Sequence, residues 1–349
     1  MGKNIVVCFD GTSNEYGKNN TNVVKTFEAL EIDDSQVAFY DPGVGTFSIF
    51  GRIIGRKIGV LLGLAFGYGI RQNIEEGYEY LMNTYEPGDV VYLFGFSRGA
   101  YTARALAGMI HQFGILRKYN TNLIPYVSKM YFRKDQDTLM SRLVKMLLRQ
   151  DIKKYPEIIK GFKALFSQDC VPYFIGVWDT VGALGPNLSK RFHNNTLNTE
   201  IKYGFQAISV DEKRRPYKVV LWDESSKAKN QIIEQVWFPG VHSEVGGGCS
   251  KDNCSLPDIA LAWMMDKASQ CDLRLKGGWQ NGLSQDAAAD IHDSSISFPW
   301  FIPGLKRKRE IPDGALIHQS VVDRMEKIKK YRPRSPEGYA TVSTDSYQK

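Results

Sequence analysis

Short runs of apolar residues alternate along the chain with segments of helical periodicity. Residues 5–9, 90–96 and 173–178 are almost continuously apolar, which is typical of central strands in a parallel sheet. Two further runs, 219–222 and 235–238, are also predicted to be strands. Strands that alternate with helices predict an α/β fold, in which helices flank a mostly parallel sheet.

Several of the predicted strands end at a chemically reactive residue. Asp10 follows the first of them, Ser97 the second and Asp179 the third, whereas His242 stands four residues after the last. In open α/β sheets, ligands bind at the carboxyl ends of the strands. These four positions therefore predict a functional site along that edge of the sheet.

The segment Gly95–Gly99 has the pattern G-x-S-x-G, with Ser97 at its centre. An apolar strand leads into it, and apolar residues spaced three and four apart follow it. A strand, a sharp turn and a helix are what a nucleophile elbow requires, so Ser97 is the predicted nucleophile. The backbone N–H of Arg98 is one predicted oxyanion donor, and the turn at Gly11 and Thr12 is expected to supply the other.

A serine hydroxyl needs a base to accept its proton. Among the five histidines, His242 follows a predicted strand, precedes the glycine run 246–248 and comes late in the chain, as the order Ser, Asp, His demands. The acid that orients the imidazole is expected between Ser97 and His242 in sequence. Asp179 is the preferred candidate, and Asp223 is its rival.

The charge of the chain is unevenly distributed. Of its 349 residues 43% are hydrophobic, and its formal net charge is +7. Residues 117–165 alone carry twelve Lys/Arg against four Asp/Glu. We interpret residues 117–168 as a helical cap inserted into a single domain, 1–333, with 334–349 as a flexible tail. The cap could be a solvated face or could attract anionic lipid, acidic protein or nucleic acid, although no specific nucleic-acid motif is present.

Glycines recur every four residues between positions 51 and 67. On a helix they would form a bare strip, which indicates either close packing against a neighbouring helix or a membrane-touching lid. A second short basic run occupies residues 305–310 and has no assigned role.

The five cysteines are odd in number and scattered, which favours free thiols in a reducing compartment. Cys249 and Cys254 lie near His242, but their spacing is poor for zinc, so no metal and no cofactor is expected. The chain begins without a signal peptide and has no apolar stretch of membrane-spanning length. It is expected to be cytoplasmic as synthesised, and export would use a signal-independent system.

Longer motifs extend this interpretation over nearly the whole chain. They are Cys8-Phe9-Asp10-Gly11-Thr12-Ser13-Asn14, Tyr40-Asp41-Pro42-Gly43-Val44-Gly45-Thr46, Gly176-Val177-Trp178-Asp179-Thr180-Val181-Gly182 and Trp237-Phe238-Pro239-Gly240-Val241-His242-Ser243-Glu244-Val245-Gly246-Gly247-Gly248. In these motifs the chain resembles a family of uncharacterised α/β-hydrolase domains that includes the type VI secretion phospholipase effectors, the Tle-type lipases. The resemblance implies Ser97, Asp179 and His242 as the catalytic triad and phospholipase A-type activity.

The expected function is therefore that of a serine esterase or lipase, cleaving carboxylic esters of lipids through an acyl-enzyme. The alternative is a non-catalytic hydrolase-fold module that binds lipid or a partner protein through its basic cap. Expected partners are a phospholipid substrate, a membrane surface contacted peripherally and, if the chain is an effector, a secretion-spike or immunity protein.

Overall fold

A large parallel sheet organises the fold. The computed structural model describes residues 2–11, 17, 19–43, 58–133, 155–182, 195–249, 254–292, 306–333, 338–343 and 347. The strands are β1 (Asn4–Phe9), β2 (Gln36–Asp41), β3 (Val90–Phe96), β4 (Ile115–Leu116), β5 (Ser167–Gln168), β6 (Phe174–Trp178), β7 (Tyr203–Ser209), β8 (Ile232–Phe238), β9 (Leu316–His318) and β10 (Ala340–Val342). Eight of them form one sheet, in the order β10-β9-β8-β7-β6-β3-β1-β2, with every neighbouring pair parallel.

Helices cover both faces of this sheet. They are α1 (Asn22–Ala29), α2 (Ile58–Thr84), α3 (Arg98–Phe113), α4 (Ile124–Arg133), α5 (Tyr155–Phe166), α6 (His242–Gly246), α7 (Leu256–Ser269) and α8 (Gln319–Lys327). Within β1, Ile5 and Val7 belong to the core shared with α2 and α3, whereas Val6 and Cys8 belong to the core shared with α1 and α7. Both faces are buried, as a parallel sheet requires, and the predicted fold class is confirmed.

Four of the five predicted strands are present, and the fifth is wrong. Residues 219–222 do not enter the sheet, because β7 occupies the position between β6 and β8. Instead they run beside the loop that follows β6. Val219 forms an isolated bridge with Val181, and the backbone N–H of Val220 donates to the carbonyl of Thr180 at 2.9 Å.

Two described helices lie in the predicted cap. β4 and β5 pair as a short antiparallel ribbon and bring the two ends of the insertion together. Between them, α4 packs against α2 and α3, and α5 packs against α3. Residues 134–154 lie outside the described residues, and the role of the insertion as a cap stays a prediction.

Described residues of the predicted tail, 334–349, contact the rest of the fold. Residues 340–342 form β10, which pairs with β9 at the edge of the sheet. Tyr347 is buried, and its hydroxyl donates to Asp323 at 2.8 Å. An edge strand and a buried aromatic ring attach the end of the chain to the fold.

The expectation of five free thiols is also wrong, because Cys249 and Cys254 form a disulfide. Their two Cα atoms lie 6.2 Å apart, within the usual range for a disulfide. Cys8, Cys170 and Cys271 are free and buried.

The glycine strip at 51–67 lies at and before the start of α2. Residues 51–57 and the side chains of 58–68 lie outside the described residues, and α2 begins at Ile58. The close-packing and membrane-touching interpretations therefore both stay predictions. Among the described residues, no helix combines the length and the apolar character needed to cross a bilayer.

A glycine-to-alanine pair tests how closely α3 approaches β1. A Cβ on Gly99 would lie 2.1 Å from the carbonyl oxygen of Phe9, whereas a Cβ on Gly161, in α5, meets nothing within 4 Å. We expect Gly99→Ala to lower the free energy of unfolding by about 2 kcal/mol or more. Gly161→Ala should raise it by up to about 1 kcal/mol. Urea unfolding measures both, and equal effects of the two substitutions would contradict the close packing.

Candidate active site

Ser97 occupies a strained turn between β3 and α3. Its backbone has φ 58° and ψ −115°, a conformation that a non-glycine residue adopts at a cost of about 1–3 kcal/mol. The backbone N–H of Ser97 donates to the carbonyl of Trp178 at 3.0 Å, which ties the turn to the end of β6. A Cβ on Gly95 would lie 2.5 Å from the carbonyl oxygen of Gly99, so the turn closes only with glycine there.

His242 meets Ser97 from the end of β8. The strand ends at Phe238, the chain turns at Gly240 with φ 108°, and α6 begins at His242. The imidazole Nε2 lies 2.8 Å from the Oγ of Ser97, within hydrogen-bond distance. Its ring packs between Phe96, at 4.7 Å between ring centres, and Tyr217, at 4.9 Å.

The glycines after His242 make room for this packing. A Cβ on Gly246 would lie 1.9 Å from the ring of Phe96, so α6 can pass this ring only because residue 246 has no side chain. The glycine run that marks His242 in the sequence therefore has a steric cause in the structure.

Asp179 lies directly beyond β6 and contacts the other imidazole nitrogen. Its Oδ2 lies 2.5 Å from the Nδ1 of His242. The residue has φ 43°, in the left-handed region that Asp tolerates better than most residues, and its side chain is fully buried. The backbone N–H of Ser209, at the end of β7, donates to its Oδ1 at 3.0 Å. The strand ends of β3, β6, β7 and β8 thus meet at these three side chains.

Arg309 is the residue of this site that sequence reasoning missed. The residue is 8% exposed, and its guanidinium donates to both carboxylate oxygens of Asp179, at 2.5 Å from Nη1 and 2.9 Å from Nη2. The same two nitrogens donate to the carbonyls of Ser209 and Tyr217 at 2.9 and 2.7 Å. The only sequence signal was the basic run 305–310, in which one arginine cannot be distinguished from its neighbours.

Burial and charge act in opposite directions on the Asp179 carboxyl. Burial alone would raise its pKa, but the cation of Arg309 and the contact with His242 hold that pKa well below its usual range. Asp179 is therefore ionised at neutral pH. A carboxylate there favours the Nδ1–H tautomer of His242 and leaves Nε2 to accept a proton.

His242 is kept neutral by its surroundings. Burial lowers the pKa of its imidazole, and the positive charge of Arg309 acts in the same direction, although Asp179 and Glu212 oppose both. A neutral imidazole is the form that can accept a proton from Ser97.

A second buried ion pair supports the backbone of His242. The N–H of His242 donates to the Oε2 of Glu212 at 3.3 Å, and the guanidinium of Arg214 binds the same carboxylate at 2.8 and 2.9 Å. Burial would raise the pKa of Glu212, but Arg214 lowers it below the usual value. The charged carboxylate therefore accepts the N–H at the start of α6.

The predicted oxyanion donors differ in their surroundings. Arg98 is the first residue of α3, where backbone N–H groups take no part in the helical hydrogen bonds. The N–H of Gly11 instead donates to the Oδ1 of Asp10 at 2.6 Å, so it could serve an oxyanion only if Asp10 released it. Thr12 lies outside the described residues. The oxyanion role of all three residues stays a prediction.

Asp223, the rival acid, and two of the other histidines lie elsewhere. Asp223 accepts from the backbone N–H of Ser225 at 3.0 Å and caps a short 3₁₀ turn. His111 is exposed on α3, where its Nδ1 lies 2.8 Å from Asn198. His318 is fully buried and stacks on Phe238 at 4.7 Å.

Within the described part of the chain, one group has side chains of metal-ligand type close together. The ligand atoms of Glu244, Cys254 and His292 lie within 4.8 Å of one another. The sulfur of Cys254 is already bonded to Cys249. Both oxygens of Glu244 are also occupied, since Oε2 accepts from Val241 and Oε1 from His292. The group is therefore already satisfied by bonds within the protein.

Comparisons with known proteins place these residues in context. The family model of the catalytic domain of Tle1-like phospholipase effectors of the type VI secretion system matches residues 3–267. The uncharacterized protein YEL023C of Saccharomyces cerevisiae is 31% identical over 228 residues, which cover 62% of this chain and 32% of the yeast protein. The chain thus spans about a third of the length of that relative.

Two solved structures are also similar. An uncharacterized protein from Pseudomonas aeruginosa aligns with 80% of this chain and 47% of its own, at 19% identity and a TM-score of 0.44. The Tle1 effector, in its complex with the VgrG spike of the type VI secretion system, aligns with 72% of this chain and 52% of its own, at 18% identity and a TM-score of 0.37.

The charge of Arg309 can be tested through the titration of His242. We expect the pKa of His242, followed by NMR, to lie below the ordinary histidine value of 6.5. Arg309→Gln removes a cation that opposes protonation of the imidazole, so the pKa should rise. Arg309→Lys keeps the charge and serves as the control, in which the pKa of His242 should rise less. An unchanged titration in Arg309→Gln would show that this cation does not act on His242.

Proposed function

The chain belongs to the Tle1-like family of type VI secretion phospholipase effectors, whose catalytic-domain model matches residues 3–267, and from this premise we propose that it hydrolyses phospholipid ester bonds. The observation that carries the proposal is the continuous hydrogen-bond path from Ser97 through His242 to Asp179. In the proposed roles, Ser97 is the nucleophile, His242 the general base and Asp179 the group that orients the imidazole.

The proposed reaction begins with attack on the ester. The Oγ of Ser97 forms a bond to the carbonyl carbon while its proton moves to the Nε2 of His242. The carbonyl oxygen becomes an oxyanion, and in this proposal the N–H of Arg98 donates to it. When the tetrahedral intermediate collapses, the C–O bond to the alcohol breaks, and that alcohol leaves with the proton held by His242.

Water completes the cycle. It attacks the acyl group on Ser97 and gives a proton to Nε2, which passes that proton to Ser97 as the fatty acid leaves. The charged Asp179 stabilises the imidazolium in both steps, and Arg309 holds that carboxylate in place. This sequence yields a free fatty acid and a lysophospholipid, which is phospholipase A-type activity.

The surface of the insertion supports a lipid substrate. Ile158 and Leu165 are 51% and 66% exposed, and they lie seven residues apart, on one side of α5. Tyr119 and Tyr126, on the preceding turn and on α4, are 92% and 50% exposed. Exposed apolar side chains on a basic segment are typical of surfaces that contact a membrane peripherally. We propose that this surface touches the bilayer.

The alternative function is a lipid-binding or protein-binding module without catalysis. It makes a different prediction about Ser97, since a bystander serine does not react with a fluorophosphonate probe. The strained turn of Ser97 and its contact with His242 favour a reactive hydroxyl. Delivery by a secretion spike, an immunity protein and cytoplasmic synthesis all stay predictions.

Substitutions at Ser97 and His242 test the proposed chemistry. We expect Ser97→Ala and His242→Gln each to lower fatty-acid release from phospholipid vesicles by roughly 10⁴-fold or more, because the members of a triad act as a unit. The matched control is His111→Gln, which changes an exposed histidine on α3 and should keep wild-type activity. Near-wild-type fatty-acid release by Ser97→Ala would refute the role of Ser97 as nucleophile. Absence of fatty-acid release by the wild type would favour the binding module.

The membrane contact is tested separately. The double substitution Ile158→Asp and Leu165→Asp adds charge to the exposed side of α5. It should weaken binding to phosphatidylglycerol vesicles, measured by co-sedimentation, about ten-fold or more. Burial of one such side chain in the membrane contributes at most about 1.5–3 kcal/mol to binding, and about 1–2 kcal/mol when the side chain starts half-exposed. Hydrolysis of a short soluble ester should be unchanged. Equal loss of vesicle binding and of soluble-ester hydrolysis would indicate misfolding rather than lost membrane contact.

A further inference from the structure

A basic cavity lies beside the residues that hold the proposed triad. Its volume is about 220 Å³, which leaves room for a small anion with some of its water. Two of its walls are Arg309, which binds Asp179, and Glu212, which accepts from the backbone of His242. The cationic side chains that line it are those of Lys213, Lys308, Arg309, Lys330 and Arg332.

One of the donors of Arg309 has no partner among the described residues. A guanidinium carries five N–H groups. Four of them are accounted for, by the two oxygens of Asp179 and by the carbonyls of Ser209 and Tyr217. The fifth, on Nε, is buried and has no hydrogen-bond partner in the described part of the chain. A buried donor without a partner costs about 1–3 kcal/mol, which an acceptor in the cavity would offset.

The acidic side chains of the cavity, those of Asp211 and Glu212, are fewer than the five cationic ones. Asp211 accepts from the backbone N–H of Gly240 and from the hydroxyl of Tyr331, both at 2.8 Å. Glu212 is paired with Arg214, which is not among the residues lining the cavity. The lining of the cavity therefore keeps a positive balance of charge.

The remaining cations are available to a ligand. Lys308 and Lys330 are exposed, and neither forms an ion pair with any residue that the structure describes. Within the described part of the chain, Arg332 donates to two main-chain carbonyls, those of Met325 and Tyr331. Like charges brought together around one cavity repel one another, and a bound anion would relieve that repulsion.

We propose that this cavity, the Arg309 cavity, binds a phosphate group. The Nε–H of Arg309 would donate to one phosphate oxygen, and Lys308, Lys330 and Arg332 would neutralise its charge. Phosphate suits this set because it offers several acceptor oxygens and two negative charges, which Arg and Lys recognise. The phosphate could belong to a lipid headgroup or to a soluble compound. The site does not depend on the proposed ester hydrolysis.

Calorimetric titration of the full chain with inorganic phosphate, at constant ionic strength, tests the site. The test variant is Lys308→Ala with Lys330→Ala. Its matched control is Arg307→Ala with Lys329→Ala, which removes two exposed cations one residue away that do not line the cavity. We expect the test variant to bind phosphate about ten-fold more weakly or worse, since one charge-assisted hydrogen bond accounts for that factor. The control should stay within about two-fold of the wild type.

The Nε–H of Arg309 provides a second readout. Its ¹⁵N NMR signal, identified by its loss in Arg309→Lys, should shift as phosphate is added. No phosphate binding by the wild type, or equal weakening in the test and control variants, would overturn the proposal. So would an Nε–H signal that phosphate leaves unmoved.

Vesicles distinguish the two sources of phosphate. In a Ser97→Ala background, which removes the proposed hydrolysis, phosphate is titrated in the presence of phosphatidylcholine vesicles with or without phosphatidic acid. Competition only by vesicles containing phosphatidic acid would assign the site to a lipid headgroup. Absence of competition, with phosphate binding intact, would assign it to a soluble phosphate compound. Competition by pure phosphatidylcholine vesicles would also assign the site to a lipid headgroup, because phosphatidylcholine carries a phosphate group.

Discussion

The buried charge of Asp179 is the constraint on which the site depends. A carboxylate removed from water must be compensated by hydrogen bonds and by an opposite charge, or it becomes protonated. The carboxylate of Asp179 is contacted by Ser209, His242 and Arg309, which lie 30, 63 and 130 residues away along the chain. Compensation of this one charge therefore joins the ends of β6, β7 and β8 to the segment that precedes β9.

The same compensation sets the protonation state of His242. Asp179 alone would favour an imidazolium, which could not accept a proton from Ser97. The cation of Arg309 and the burial of the ring act in the opposite direction, and the net effect is a lowered pKa. The charge of Asp179 thus orients the imidazole of His242. The charge of Arg309 limits how far Asp179 raises the pKa of that imidazole. Neither residue could be replaced by an uncharged one without changing the balance.

Much of the fold and of the site could be predicted from local sequence. β1 and β3 are apolar on both faces because helices cover both sides of the sheet, and such runs stand out in a sequence. Ser97 could be located because its turn requires glycine on both sides. β7 escaped prediction because polar Gln206 lies at its centre, buried and hydrogen-bonded to Thr180. Residues 219–222 have the apolar pattern of a strand but lie outside the sheet.

The role of Arg309 could not be predicted, and the reason is general. A sequence shows that residues 306–309 are all cationic, but cationic side chains in a run differ only in what surrounds them after folding. Arg309 alone of the four is buried, because the chain there runs beside residues 213 and 214, where the N–H of Arg307 donates to the carbonyl of Lys213 at 2.7 Å. That backbone contact turns one arginine toward Asp179 and leaves its neighbours in solvent. The long-range contact therefore decides which charge belongs to the site.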